Sequence, residues 1–334
     1  MLSPTSGRLR TAFGWAASAA ILCACGLALR GRVAAIGASG GLPGVAPMAV
    51  AVTVNAVANS VVVAAWRGVL RAAGARIGAR AAAWVWSVSQ LARYTVGAAQ
   101  VGGRAVAGRR YGLSATAGAV TTLVEVGWQA AITATLMLAT APWWLPGASD
   151  LAWMAWVGAL PAAVLAVGLV RPELLLRAVA AVLGWAPWQG IGGSPPNWVD
   201  RVRLPRADVA RVTALYMLNT GLRLAAFLAL FVAVGGSLGP GGLRAVGAYA
   251  LGQLVGRLAV FAPGGLGPRE GATALAVAPA LGGGPAVVLV ASVRLAELLG
   301  EALFAGLARL ARPPTPEVSP RTPSQPGTPP LPSP

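Results

Sequence analysis

The sequence predicts an all-α fold, a polytopic membrane helical bundle of about six full spans with two re-entrant, broken-helix segments. Three observations predict it. Hydrophobic residues make up 56% of the 334 and charged residues only 10%, where a soluble domain carries about 25% charged residues. The mean hydropathy is +0.69. The apolar residues are gathered into roughly eight stretches, several near the length of about 20 residues that crosses a bilayer. Two stretches are interrupted by glycine-rich pieces carrying arginine, the sharper being Pro263-Gly264-Gly265-Leu266-Gly267-Pro268-Arg269-Glu270. Irregular backbone survives at membrane depth only where protein or a water-filled cavity covers it, because unsatisfied N–H and C=O groups are costly in hydrocarbon. Such a break therefore marks an internal site.

Phe13–Leu29 is a short first span, read as a retained signal anchor behind Arg8 and Arg10. The only two cysteines, Cys23 and Cys25, lie within it, too close along one helix to bridge each other. Val45–Ala65 is the second span, and Ala81–Gly103 is the first interrupted stretch. Ala115–Thr140 is long and carries Glu125. The loop Ala141–Asp150 lacks arginine and holds Trp143 and Trp144, with Trp153 and Trp156 beyond, which fits an interfacial aromatic belt. Leu151–Val170 is a span; Leu174–Trp188 is too short for one and is placed in the interface. A polar connector, 190–206, divides the membrane domain, 1–312, into halves of about 1–189 and 207–312. Val212–Val234 contains Asn219 and Arg223, Leu243–Leu281 is the second interrupted stretch, and Ala286–Ala308 contains Arg294, Glu297 and Glu301. The last 22 residues, 313–334, hold ten prolines and are expected to be a disordered tail.

All 26 basic residues are arginine, and the net charge is +17. The arginines are scattered between apolar stretches, with no basic domain or aromatic-basic module, so nucleic acid is not an expected partner. Positive-inside loops explain them better. With the N-terminus cytoplasmic and both interrupted stretches re-entrant, 18 arginines, Arg104 among them, face the cytoplasm and three (Arg30, Arg32, Arg244) lie outside. Five stay at membrane depth: Arg93, Arg223, Arg257, Arg269 and Arg294. The expectation is a multi-pass protein of the cytoplasmic (inner) membrane with both termini cytoplasmic. The arginine, alanine, glycine and proline excess points to a bacterium with a GC-rich genome.

Charges at membrane depth are functional-site candidates by default. The second break supplies Gly264, Gly265, Gly267, Arg269 and Glu270: helix-end N–H groups and a fixed cation suited to a lipid phosphate, or else a structural ion pair locking the loop to a neighbouring helix. Arg294, Glu297 and Glu301 share one helical face; Arg294 can pair with Glu297 and leave Glu301 for a cationic headgroup or a proton, or the stripe only packs the bundle. Arg93, Arg104 and Glu125 form the matching set in the first half, with Arg257 and Arg223 as further candidates. Glu125 is expected to be protonated or paired with an arginine. The halves echo each other: Gln90-Leu91-Ala92-Arg93 before one break, Gln253-Leu254-Val255-Gly256-Arg257 before the other, and a glutamate-bearing span after each. An inverted repeat of the transporter type is one reading, and chance in a glycine-rich chain the other. With no histidine and nine acids, neither a metal cluster nor a Ser/His/Asp arrangement is expected, and no cofactor.

These blocks resemble the lysylphosphatidylglycerol synthase transmembrane-region family, the flippase-like integral membrane proteins. Ser89 to Gly97, Arg104, Tyr111-Gly112 and Leu123-Val124-Glu125 match the family's first pattern; Phe261 to Glu270 and Arg294-Leu295-Ala296-Glu297 match its second, over about residues 10–310. Val96 stands where the family usually has proline, and Ala98 where it usually has lysine. Two-part members carry a soluble aminoacyl-transferase domain after the membrane part; here the proline-rich tail follows, so tRNA-dependent lipid synthesis is not expected. The resemblance implies translocation of a modified phospholipid or lipid-linked intermediate. Two alternatives stand beside it: a non-transporting membrane partner of a glycosyltransferase or lipid-modifying enzyme, and a membrane transferase.

Overall fold

The computed structural model describes residues 42–94, 99–144, 205–259 and 262–314. Among them the regular structure is entirely helical. The elements are α1 (Val45–Ala72), α2 (Ala79–Ala92), α3 (Ala99–Arg109), α4 (Ala115–Ala139), a short α5 (Ala141–Trp144), α6 (Arg206–Ala233), α7 (Pro240–Leu258), a 3-10 turn (Pro263–Gly265), α8 (Pro268–Leu281) and α9 (Gly283–Leu310).

Local chemistry sets the boundaries. Ser114 caps α4, its hydroxyl accepting from the Ala117 N–H at 3.1 Å. Pro240 and Pro268 open α7 and α8, where a missing N–H costs nothing. Helix α6 begins at Arg206, six residues before the apolar stretch, with Pro205 at its cap and Asp208 in the first turn favoured by the helix dipole. Helix α1 likewise runs on through Arg67 and Arg71. Apolar runs mark membrane depth, whereas helices follow backbone hydrogen bonding, so both elements exceed the predicted spans. The tryptophan loop starts as the helical turn α5 rather than as open loop, with Trp143 exposed.

Among the described residues three helices, α1, α4 and α6, are long and apolar enough to cross a membrane. Helix α9 is as long as α1 and α6, and its polarity runs opposite to that of a soluble surface helix. Arg294, Glu297 and Glu301 are 8%, 3% and 6% exposed, while Leu295, Leu299 and Leu307 are 49%, 45% and 55% exposed. Charge faces the protein and leucine faces outward, which suits a hydrocarbon surrounding. The spans expected at Phe13–Leu29 and Leu151–Val170, the interfacial segment Leu174–Trp188, nearly all of the connector and nearly all of the tail lie outside the described residues, as do Val96 and Ala98.

Helix α1 packs along α6 and α9. Each interrupted stretch is a pair of shorter helices packed together, α2 with α3 and α7 with α8, and each pair is followed by a long helix packed on its second member. Helix α7 also packs on α4, α2 on α9 and α6 on α4. Exchanging the set α1–α4 for the set α6–α9 maps these pairings onto themselves. One apolar core joins Trp66, Trp86, Trp128, Tyr216 and Phe304; a second joins Phe227, Phe231, Tyr249, Leu289 and Val293.

The α7–α8 contact depends on the Gly252-x-x-x-Gly256 face, where small residues let backbones approach. A Cβ on Gly252 would sit 1.9 Å from the Thr273 hydroxyl oxygen and 3.0 Å from the Arg269 carbonyl oxygen. Gly252→Ala is expected to destabilise the protein by about 1–3 kcal/mol, the usual range for overpacking. Chemical unfolding in detergent checks this: a second change, Thr273→Ala, should return part of the loss, and a neutral Gly252→Ala would contradict the close packing.

Candidate functional site

The two breaks meet. Helix α2 ends at Ala92, and the carbonyl of Arg93 accepts a 2.9 Å hydrogen bond from the Gly264 N–H inside the second break. Gly264 has φ +60°, a left-handed conformation, and a Cβ there would lie 2.7 Å from the Tyr94 ring. Gly265 and Gly267 also have positive φ, +70° and +91°. The glycines thus serve the turn and the close approach of the first break.

Among the described residues, four arginines and four glutamates make five ion pairs around this junction. Arg104, fully buried on α3, donates to Glu125 of α4 at 2.7 Å and to the Ser89 hydroxyl at 3.2 Å, with its guanidinium 4.6 Å over the Trp66 ring. Trp86 donates to the other Glu125 oxygen at 3.3 Å. In the second half, Arg269 of α8 pairs with Glu297 of α9. An arginine on the second short helix thus meets a glutamate on the following long helix in each half. Arg294 lies 3.5 Å from Glu297 and 3.6 Å from Glu270, and its guanidinium is 5.3 Å from the Tyr94 ring. Arg93 crosses to Glu301, which also accepts from the Tyr94 hydroxyl at 2.9 Å.

Several sequence expectations change on this geometry. Arg104 is no cytoplasmic anchor: it is buried and holds Glu125 as an ion pair, the pairing expected for that glutamate. Glu301 is not left free for a cationic headgroup, because Arg93 and Tyr94 occupy it. Arg269 and Glu270 each take a partner from the neighbouring helix α9, as the ion-pair reading of the second break expects. The start of α8 does not present a full set of free donors. Glu270 reaches back to the Gly267 N–H at 2.7 Å, and Pro268 has no N–H.

Four arginines (Arg93, Arg104, Arg269, Arg294) thus face four glutamates (Glu125, Glu270, Glu297, Glu301). Arg223 and Arg257 have no carboxylate partner among the described residues. Arg223 donates to the side-chain oxygens of Asn55 at 3.2 Å, Asn59 at 2.6 Å and Asn219 at 3.3 Å. Arg257 donates to Thr133 at 2.9 Å and Gln129 at 3.1 Å. Both line a cleft of about 150 Å³ with Arg93, Glu125, Arg269, Glu297, Gly264, Gly265 and the glutamines Gln90, Gln100, Gln129 and Gln253. That volume is below the roughly 300–1,000 Å³ of pockets for drug-sized ligands.

Sequence reasoning treated Arg223 as secondary and passed over Asn55, Asn59, Gln129 and the four-glutamine lining. Asn55 and Asn59 sit i, i+4 in an apolar stretch, and Asn219 and Arg223 repeat that spacing on α6; that shared spacing was the available signal. Among the described residues no three His, Cys, Asp or Glu side chains gather as a metal site requires. Comparison with protein-family profiles, with curated proteins and with solved structures gave no match to this chain.

Proposed function

We propose that this chain is an integral membrane protein that translocates a phospholipid or lipid-linked intermediate across the cytoplasmic membrane. One observation carries the reading: two chain breaks, hydrogen-bonded through Gly264 and Arg93, border one charged cleft between helices whose outer faces are apolar. Non-helical backbone that lines a polar cavity within a helical membrane bundle is the usual setting of a transport site. The self-mapping helix pairings agree with two repeated halves, which supports the inverted-repeat version of this architecture, with about six spans and two re-entrant segments. The sequence resemblance to the flippase-like membrane proteins supports the choice of lipid as substrate.

The departures at Val96 and Ala98 favour the second reading, a non-transporting partner of a glycosyltransferase or lipid-modifying enzyme. A proteoliposome assay separates the two. The purified chain should speed inner-to-outer exchange of fluorescent or spin-labelled lipids over protein-free vesicles, for at least one of several headgroup classes. Exchange no faster than in empty vesicles for every class tested would reject translocation and leave the partner reading.

A further inference from the structure

We infer that Arg223 and Arg257 are the ligand-binding cations of the cleft, and that the group they receive is a doubly charged phosphate, such as a phosphomonoester. This rests on the reading of the cleft as a substrate site, and it names the substrate's headgroup chemistry.

The argument is one of charge balance. Among the described charges in and around the cleft, ion pairing removes four arginines and four glutamates and leaves the two positive charges of Arg223 and Arg257. Those two are held only by amide and hydroxyl oxygens, whose dipoles orient a guanidinium without neutralising it. A partly buried charge left uncompensated is costly, and a structural role would be better served by a carboxylate partner. Asn55, Asn59 and Asn219 instead fix the Arg223 guanidinium while leaving its charge available. Gln129 and Thr133 do the same for Arg257.

The lining completes the recognition. Gln129 accepts from Arg257 through its carbonyl oxygen, which leaves its amide N–H groups as donors. Gln253 and Gln100 also line the cleft and make no side-chain hydrogen bond to the described residues. Neutral donors beside two unbalanced guanidinium groups match the oxygens of phosphate, which guanidinium binds in bidentate fashion. A phosphomonoester carries about −1.5 to −2 charges at neutral pH. It balances the two arginines, whereas a phosphodiester leaves one charge unmet and an aminoacylated headgroup adds positive charge to a positive site.

The test uses the full chain in detergent and in nanodiscs, with lipid binding read by native mass spectrometry and by thermal shift. Phosphatidate is the monoester probe, phosphatidylglycerol the diester probe and phosphatidylcholine the zwitterionic one. Wild type should bind phosphatidate at least about tenfold more tightly than phosphatidylglycerol, the size of effect that one charge-assisted hydrogen bond supplies. Arg223→Gln and Arg257→Gln should each erase that preference, and Arg223→Lys and Arg257→Lys should keep part of it. Without ligand, the Gln variants should melt no lower than wild type, because each removes an uncompensated charge.

Equal binding of the two anionic lipids by wild type overturns the inference. So does a Gln variant that melts lower yet keeps the preference, since the arginine is then structural. Glycerol 3-phosphate and inorganic phosphate locate the source. Competition at affinities equal to phosphatidate supports the dianion site and assigns it to a soluble phosphate, whereas failure to compete supports it and assigns it to a lipid. Failures of the two readings differ. Tight phosphatidate binding without exchange across vesicles rejects translocation and keeps the site. Exchange of lipids with no phosphatidate preference rejects the site and keeps translocation.

Discussion

Arg104→Leu is expected to destabilise the protein by about 3–5 kcal/mol, the cost of stranding one partner of a buried ion pair. Arg104 is fully buried, and Glu125 would keep only the Trp86 N–H at 3.3 Å as a partner. The same change removes the Ser89 bond and the contact over Trp66. Glu125→Leu alone should cost a similar amount. The double change should recover much of the loss, because two leucines of comparable volume need no desolvated charge in a core bordered by Trp66 and Trp86. Unfolding midpoints in detergent for all four proteins form the cycle. Additive losses would mean that the two residues act independently, contrary to the 2.7 Å contact.

Glu297→Gln is expected to be the second severe change, and more severe than Arg269→Ala. The order follows from partner number. Glu297 serves both Arg269 and Arg294, so its neutralisation strands Arg269 and leaves Arg294 with Glu270, at 3.6 Å, as its carboxylate partner among the described residues. Removing Arg269 instead leaves Glu297 paired with Arg294. The glutamate change should cost about 3–5 kcal/mol and raise the unbalanced charge of the cleft from two to three. Adding Arg269→Gln to Glu297→Gln should restore stability. The same chemical unfolding experiment decides it: Arg269→Ala as damaging as Glu297→Gln would show that Arg294 does not share the carboxylate.

The helices and the two breaks were legible because their signals are local. Apolar length marks α1, α4 and α6, and glycine with proline marks the turn before α8. The burial of charge on α9 was legible too, since the i, i+3, i+7 spacing of Arg294, Glu297 and Glu301 puts them on one face. Partner choice was legible only in part: the i, i+3 spacing predicts the Arg294–Glu297 contact, but not the contacts between helices. Adjacent residues such as Arg269 and Glu270 point about 100° apart on a helix, so each found a partner on α9 instead. Arg104 was grouped with Glu125 but also counted among the cytoplasmic arginines, because an arginine in a glycine-rich flank looks like a positive-inside anchor. Only the fold shows that α4 brings Glu125 beneath it. The special standing of Arg223 and Arg257 emerges only after the other charges around the cleft have been paired, which requires all the distances at once.

The two unpaired arginines have a consequence for the permeability barrier. A polar cleft inside a lipid-facing bundle invites the passage of protons and metal ions, which would dissipate the membrane's gradients. Arg223 and Arg257 line that cleft without a neutralising carboxylate. A univalent cation about 8 Å from one such charge is repelled by about 2 kcal/mol at an effective dielectric of about 20, and a second arginine at similar range doubles this. Fixed positive charge excludes protons and cations from pores by this means. If the cleft is the proposed transport site, the pair that would receive an anion would also oppose cation leak through it.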